Sequence, residues 1–176
     1  GRTESGREIM RGKRKKDNIR KGIAAAAVFA AVWLLMPFQT VWGRDEEIYV
    51  GGMPDSWPFE FYDTQKDAYQ GILPDLLEAA AEQAAMEIRY VEGSGDDNRL
   101  ELAEKKQVDA IWTLGLTDEE LEAAGLRKGE TIISYQNGED ITSICLAYTE
   151  SMRKTAEEAL ETALRKVNEE QTESLL

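Results

Sequence analysis

Carboxylates are the main side chains that could do chemistry in this 176-residue chain, which has 34 Asp and Glu residues, no histidine and one cysteine, Cys145. Without histidine it cannot form a Cys/His zinc site, a Ser-His-Asp triad or a Cys-His pair. A single cysteine also excludes an intrachain disulfide. Neither Asp96-Asp97 nor Glu139-Asp140 has the spacing of a calcium loop. We therefore expect no catalysis, no cofactor and no bound metal.

Five other residues are candidates for contacts with a small ligand. Trp57, Phe59 and Phe61 alternate along one stretch, where they could form an apolar wall or pack on the core beneath a loop. Thr113 and Thr117 could donate or accept hydrogen bonds. For Thr117 the sequence Thr-Asp-Glu-Glu favours a capping box, in which the threonine begins a helix and a glutamate three residues later bonds back to it.

The elements that would position these residues alternate between strand and helix. The predicted strands are residues 48–52, 87–91 and 108–114. Helices are predicted after Pro74 and over residues 118–124. This order is typical of an α/β fold with a parallel sheet covered by helices. Ligands of such sheets bind at the carboxyl ends of the strands, which are here the loops after Val50 and Trp112.

The remaining stretches have weaker signals. Residues 53–71 are rich in proline and aromatic side chains, and we expect a loop with extended pieces. Residues 131–134 and 141–147 are predicted strands on either side of a turn. A final helix is predicted over residues 151–170, because apolar residues recur there at helical spacing.

Charge divides the chain into two parts. Residues 1–43 hold nine Lys and Arg against three Asp and Glu, whereas residues 44–176 hold 12 against 31, a net charge of −19. A surface this acidic repels nucleic-acid phosphates and anionic lipid headgroups alike. We therefore expect no nucleic-acid partner, and a domain over residues 44–176 that stands clear of the membrane surface.

The N-terminal part has the pattern of an export signal. A basic region, residues 1–21, precedes the uncharged segment 22–43, whose residues 23–36 form an unbroken apolar run. A basic flank before such a run keeps the N-terminus inside and sends the following chain outside. The segment is either a signal peptide or a transmembrane anchor, since 22 helical residues would span roughly 33 Å. No cysteine lies directly after this segment, which argues against a lipoprotein.

Short motifs through the first half of the domain carry a family resemblance. The chain resembles the extracytoplasmic solute-binding proteins of family 3, the polar-amino-acid-binding type, which also occur as sensor modules of bacterial receptors. The residues that carry it are Val50-Gly51, Trp57-Pro58-Phe59-Glu60-Phe61-Tyr62, Tyr69-Gln70-Gly71-Ile72, residues 75–82, Tyr90-Val91, Val108-Asp109-Ala110-Ile111 and Thr117-Asp118-Glu119.

The resemblance implies one lobe of a periplasmic-binding-protein-like fold, three-layered with a mostly parallel sheet. It implies an extracytoplasmic protein that binds an amino acid or similar polar solute without catalysis. Its partner would be an ABC-type permease or a signalling domain. Gly71 would let the chain turn into the following helix, and Asp109 would hold the chain at the head of the third strand.

Three departures limit what the resemblance implies for the ligand. The arginine that the family uses for a substrate carboxylate is replaced by Glu120, and Ser94-Gly95 replaces a usual aromatic. The second lobe of the family also has no room in the sequence after residue 114. These departures favour an alternative function, a partner-binding module whose ligand pocket has degenerated.

Overall fold

The structure is a computed structural model, and it describes residues 46–91 and 96–173. The chain separates into two units, residues 1–43 and 44–176, and the description concerns the second. The predicted basic region and the predicted signal peptide or anchor lie outside the described residues. None of the helices in the described part is long and apolar enough to cross a membrane.

Strands and helices alternate through the first half of the domain, as the sequence predicted. In chain order the elements are β1 (Glu46–Gly51), β2 (Asp55–Ser56), β3 (Glu60–Asp63), β4 (Ala68–Gln70), α1 (Ile72–Gln83), β5 (Met86–Val91), α2 (Arg99–Glu104), β6 (Ala110–Trp112), α3 (Asp118–Ala123), β7 (Arg127–Lys128), β8 (Ile133–Asn137), β9 (Asp140–Ile144), β10 (Leu146–Tyr148) and α4 (Lys154–Glu173).

The central sheet has five strands in the order β5-β1-β6-β10-β7. Strand β1 is parallel to both β5 and β6, whereas β10 is antiparallel to its neighbours β6 and β7. Four of the five strands therefore run in one direction, and their carboxyl ends share one edge of the sheet. This arrangement confirms the predicted α/β fold with a mostly parallel sheet.

Helices cover both faces of this sheet, because successive side chains of a strand point to opposite faces. Ala110 and Trp112 of β6 belong to a core shared with α1 and α4. Ile111, between them, belongs to a second core shared with α2 and α3. The domain thus has three layers, as expected for a lobe of this kind.

Helix α1 begins at a glycine that the fold requires. Gly71 has φ of 126°, a region that favours glycine, and a Cβ at this position would lie 2.5 Å from the carbonyl oxygen of Phe59. The helix then buries Leu73, Leu76 and Leu77 against the sheet. The expected role of Gly71 is confirmed.

The head of β6 is held by Asp109, as expected. Its Oδ2 accepts a hydrogen bond from the backbone N–H of Tyr49 at 2.9 Å, and its Oδ1 accepts one from Ser151 Oγ at 2.7 Å. The backbone N–H of Thr149 also donates to the Asp109 carbonyl oxygen. One side chain therefore connects β1, β6 and the turn that precedes α4.

Two small sheets differ from the sequence prediction. Residues 53–71, predicted as a loop with extended pieces, form the antiparallel sheet β2-β3-β4. The two strands predicted after residue 130 are three: β8 and β9 form a hairpin that turns at Gly138, and β10 returns to the central sheet. The apolar run 144–148 conceals this change because the chain passes from one sheet to the other without a turn residue.

Candidate functional site

The carboxyl edge of the sheet brings together the residues that follow β6 and precede β10. The backbone N–H of Thr113 donates to the carbonyl oxygen of Cys145 at 3.0 Å. In return, the Cys145 N–H donates to Thr113 Oγ1 at 3.1 Å. Since β10 runs against β6, the beginning of one strand lies beside the end of the other. Both residues are buried and together form the floor of a cavity.

This cavity, called the Thr113 cavity below, has a volume of about 430 Å³. Its size is within the range of small-molecule sites. Most of its lining is polar and includes four side-chain hydroxyls, one thiol and two opposite charges. The lining residues are Thr113, Leu116, Asp118, Leu121, Lys128, Gly129, Thr131, Ile141, Thr142, Ser143 and Cys145.

The two charged residues of the cavity form an ion pair open to solvent. Lys128 Nζ lies 2.8 Å from Asp118 Oδ1, and both side chains are exposed. The hydrogen bond from Lys128 to Asp118 raises the pKa of the lysine, so the ammonium remains charged at neutral pH. Because the pair is exposed, each partner can be exchanged for a ligand group at little cost in desolvation.

The Cys145 thiol is suited to packing against a ligand rather than to acting as a nucleophile. Burial raises the pKa of its thiol, although the hydrogen bond with Thr113 lowers it. The thiol is therefore protonated at neutral pH, and it is the thiolate that acts as a nucleophile or metal ligand. Within residues 46–91 and 96–173, no group of acidic or cysteine side chains is arranged to hold a metal ion.

A second polar region at the same edge, the Glu60–Arg99 cluster, is enclosed. Glu60 on β3 is 0% exposed and Arg99 at the start of α2 is 4% exposed. Arg99 Nη1 donates to the carbonyl oxygen of Trp112 at 2.7 Å, and Nη2 donates to that of Leu114. The arginine therefore binds the end of β6 from inside the protein.

Glu60 makes fewer and longer hydrogen bonds than Arg99. Its Oε1 accepts a long hydrogen bond, 3.4 Å, from the N–H of Met53, and its Oε2 is buried without a hydrogen-bond partner. Burial raises the pKa of Glu60 to about 8, against the opposing effects of the Met53 N–H and the Arg99 charge. Burial also lowers the pKa of Arg99. The carboxyl group is thus mostly protonated at pH 7.

The five residues predicted from the sequence are distributed over different environments. Thr113 lines the cavity, and Thr117 begins α3 with both hydrogen bonds of the capping box present. Phe59 packs against the core and stacks on Tyr135 of the β8–β9 hairpin, with ring centroids 5.2 Å apart. Trp57 is 77% exposed, and Phe61 is partly buried in β3.

Glu120, which replaces the arginine that the family uses for a carboxylate, belongs to this cap. Its Oε2 accepts hydrogen bonds from the N–H and the hydroxyl of Thr117, at 2.7 and 3.1 Å. The side chain therefore folds back on its own helix. Lys128 is the cation among the residues that line the cavity. No sequence pattern indicated it, because β7 is only two residues long.

Comparison with known families gives one match, to the bacterial extracellular solute-binding proteins, family 3, over residues 48–173. Among solved structures, the arginine-bound form of domain 1 from TmArgBP is 20% identical, with a TM-score of 0.54 over 68% of this chain and 92% of that domain. A YckB structure from Bacillus subtilis is 12% identical, with a TM-score of 0.53 over 72% of this chain and 86% of that one. At such low sequence identity, the structural likeness shows a shared fold. No curated protein sequence matches the chain.

Proposed function

Because the chain belongs to the bacterial extracellular solute-binding proteins, family 3, we propose that its domain binds an amino acid or a similar small polar solute without transforming it. The proposed site is the Thr113 cavity at the carboxyl edge of the sheet. It is the edge at which ligands of open α/β sheets bind. The enclosed Glu60–Arg99 cluster supports this edge by fixing the end of β6.

The observation that carries the proposal is the exposed Asp118–Lys128 pair beside four hydroxyls in one cavity. An amino acid is a zwitterion, so its carboxylate can bind the Lys128 ammonium while its ammonium binds the Asp118 carboxylate. Thr142 and Ser143 can hydrogen-bond the same groups. In this proposal Lys128 takes the role of the arginine that the chain lacks.

A single lobe is compatible with such binding. The matched structure of domain 1 from TmArgBP is itself described as arginine-bound. In our chain the β8–β9 hairpin stands beside the cavity and contributes Ile141, Thr142 and Ser143 to its lining. We propose that this hairpin provides the second wall of the site, which the complete family members obtain from their second lobe.

A thermal-shift screen of the purified chain against the twenty amino acids tests this proposal. A ligand at a hundred times its dissociation constant adds about 2.7 kcal/mol to the free energy of unfolding. The stabilisation should fall sharply in Lys128→Met and Thr113→Val. Arg165→Met is a matched control because Arg165 is also an exposed cation paired to a carboxylate, Glu130, but lies outside the Thr113 cavity. Stabilisation by none of the amino acids would contradict the proposal.

We further propose that the domain works outside the cytoplasmic membrane, either with an ABC-type permease or as the sensor part of a receptor. Its support is the family, which is extracellular, and the basic and apolar pattern of residues 1–43. Whether the apolar segment is removed distinguishes the two roles. N-terminal sequencing of the protein recovered from the cell envelope gives the answer, since a retained segment favours the sensor.

Two exposed apolar side chains favour a second candidate function, binding of a protein partner. Trp57 is 77% exposed and Ile141 is 76% exposed, whereas large apolar side chains more often lie inside. If the domain binds a partner through them, Trp57→Ser and Ile141→Ser should abolish its association. Sedimentation of the chain with and without membrane extracts would show this loss, while the response to amino acids would be absent in every variant.

A further inference from the structure

A second cavity lies at the other end of the sheet, against the edge strand β5. It has a volume of about 350 Å³ and is lined by Tyr62, Asp67, Ala68, Tyr69, Glu78 and Tyr90. We call it the tyrosine cavity. It shares no lining residue with the Thr113 cavity, which borders β6, β7 and β10. The solute site proposed above therefore does not account for it.

Three tyrosine rings form the aromatic side of this cavity. Tyr69 lies between the other two: it meets Tyr62 edge to face with ring centroids 5.3 Å apart, and its ring is tilted by 30° against Tyr90 at 4.6 Å. Gly52 leaves room for the Tyr69 ring, since a Cβ at this position would overlap it. The faces of aromatic rings carry partial negative charge and attract organic cations.

Carboxylates complete the lining, and the cavity has no positive side chain among its lining residues. Asp67 accepts a hydrogen bond from the Tyr62 hydroxyl. The Glu78 carboxylate has neither a hydrogen bond nor an ion pair within the described residues. Lys66, the neighbouring cation, is engaged elsewhere, since its Nζ lies 3.2 Å from Gln70 Oε1 and 4.0 Å from Asp63 Oδ2.

Tyr90 gives an independent sign that a polar group is missing here. Its ring lines the cavity, yet its hydroxyl oxygen is buried with no hydrogen-bond partner, and buried polar atoms without partners are rare. Burial raises the pKa of this phenol well above its usual range, and the nearby carboxylate of Glu78 adds to the effect. The hydroxyl is therefore neutral and can accept a hydrogen bond from an N–H donor.

We propose that the tyrosine cavity is a second binding site, specific for a small organic ammonium ion. The ion would lie against the three rings, with one N–H group donating to the Tyr90 hydroxyl and a charged ammonium binding the Glu78 carboxylate at the exposed rim. A neutral molecule of the same shape would lack this charge interaction, and an anion would be repelled by Asp67 and Glu78. The site is independent of the amino-acid site, so either can exist without the other.

Calorimetric titration of the full chain with 1,4-diaminobutane tests the proposal, with 1,4-butanediol as the neutral molecule of matched length. We expect saturable binding of the diamine and none of the diol. Glu78→Gln should weaken diamine binding about fivefold, corresponding to a contribution of roughly 1 kcal/mol. Glu82→Gln, an exposed position on the same helix outside the cavity, should leave it unchanged.

Tyr90→Phe provides a second test that does not endanger the fold, because it deletes a hydroxyl that has no hydrogen-bond partner. It should weaken diamine binding while the melting temperature is retained. The proposal is overturned if the diamine binds no better than the diol, or if Glu78→Gln and Glu82→Gln behave alike. It is also overturned if Asp118→Asn, rather than Glu78→Gln, removes diamine binding, because the cation then occupies the Thr113 cavity.

Discussion

The Glu60–Arg99 cluster and the Asp118–Lys128 pair each join an acidic and a basic side chain at the same edge of one sheet, but in opposite environments. Glu60 and Arg99 are almost completely enclosed, whereas Asp118 and Lys128 are exposed. Enclosure makes a charge costly to leave unpaired and so commits it to the fold. Exposure leaves a charge free to exchange its partner. The fold therefore depends on the first region, and the second is the region that we propose for ligand binding.

The largest expected effect comes from removing the enclosed cation. Arg99→Met deletes two charge-assisted hydrogen bonds to the end of β6 and the ion pair with Asp97. We expect a loss of about 3–5 kcal/mol in the free energy of unfolding, measured by urea denaturation. Lys128→Met is the matched change in the open region and should cost less than about 0.5 kcal/mol. Equal losses in the two variants would remove the distinction between the regions.

The raised pKa of Glu60 makes the stability of the protein depend on pH. Because burial raises its pKa from 4.5 to about 8 in the folded protein, folding favours the protonated form. Its contribution to stability is present below pH 4.5 and is lost as pH rises to about 8. The slope approaches roughly 1.4 kcal/mol per pH unit. In Glu60→Gln this loss is absent. The free energy of unfolding of the variant, relative to that of the native protein, should therefore increase as pH rises.

Urea denaturation of both proteins at several values between pH 5 and pH 8 measures this difference. The exposed carboxylates are common to both proteins, so their titration cancels in the comparison. A Glu60→Gln curve parallel to the native one would show that Glu60 is ionised in the folded state.

The two regions also differ in how well the sequence predicted them. Thr113 was a candidate because it lies near the end of a predicted apolar strand, and Thr117 was predicted to begin a helix because a capping box is a local pattern of four residues. The Glu60–Arg99 cluster was missed. Glu60 lies between Phe59 and Phe61, where a lone charged residue is expected to face solvent, yet here the glutamate is buried and both neighbours are partly exposed.

Most of the features that could not be predicted from the sequence depend on contacts between residues far apart in the chain. Arg99 binds carbonyl groups 13 and 15 residues away, and Lys128 meets Asp118 only because β7 joins the far end of the sheet. Helices α1 and α4 were predicted because their apolar residues repeat at helical spacing. Short strands such as β2 and β7 have two residues each, too few for any periodicity, and only tertiary pairing defines them.

A smaller effect is expected from the cap that fixes α3 beside the Thr113 cavity. Thr117→Ala removes a side-chain acceptor for the N–H of Glu120, at a cost of about 1 kcal/mol. Chemical denaturation measures this change. Thr162→Ala is a suitable control, since Thr162 is an exposed threonine inside α4 that bonds only to a carbonyl of its own helix. If both variants lose the same stability, the cap contributes nothing specific.

The smallest effect on stability belongs to the apolar side chain at the mouth of the cavity. Ile141→Ser should change the free energy of unfolding by less than about 0.5 kcal/mol, because Ile141 is already 76% exposed. Ile144→Ala on the same strand removes a fully buried side chain and should cost about 2–5 kcal/mol. Thermal melts of the two variants compare them directly, and a destabilised Ile141→Ser would place this residue in the core.

The pairing of β7 with β10 has a consequence for how this protein could change over evolution. The chain leaves the central sheet after Lys128 and returns to it at Leu146, and the Gly129 N–H donates to the Leu146 carbonyl oxygen at 2.7 Å. Exit and re-entry are therefore adjacent. A guest sequence that took the place of the β8–β9 hairpin would begin and end at neighbouring points, so a whole folded module could be gained or lost there while the five-stranded sheet kept its register.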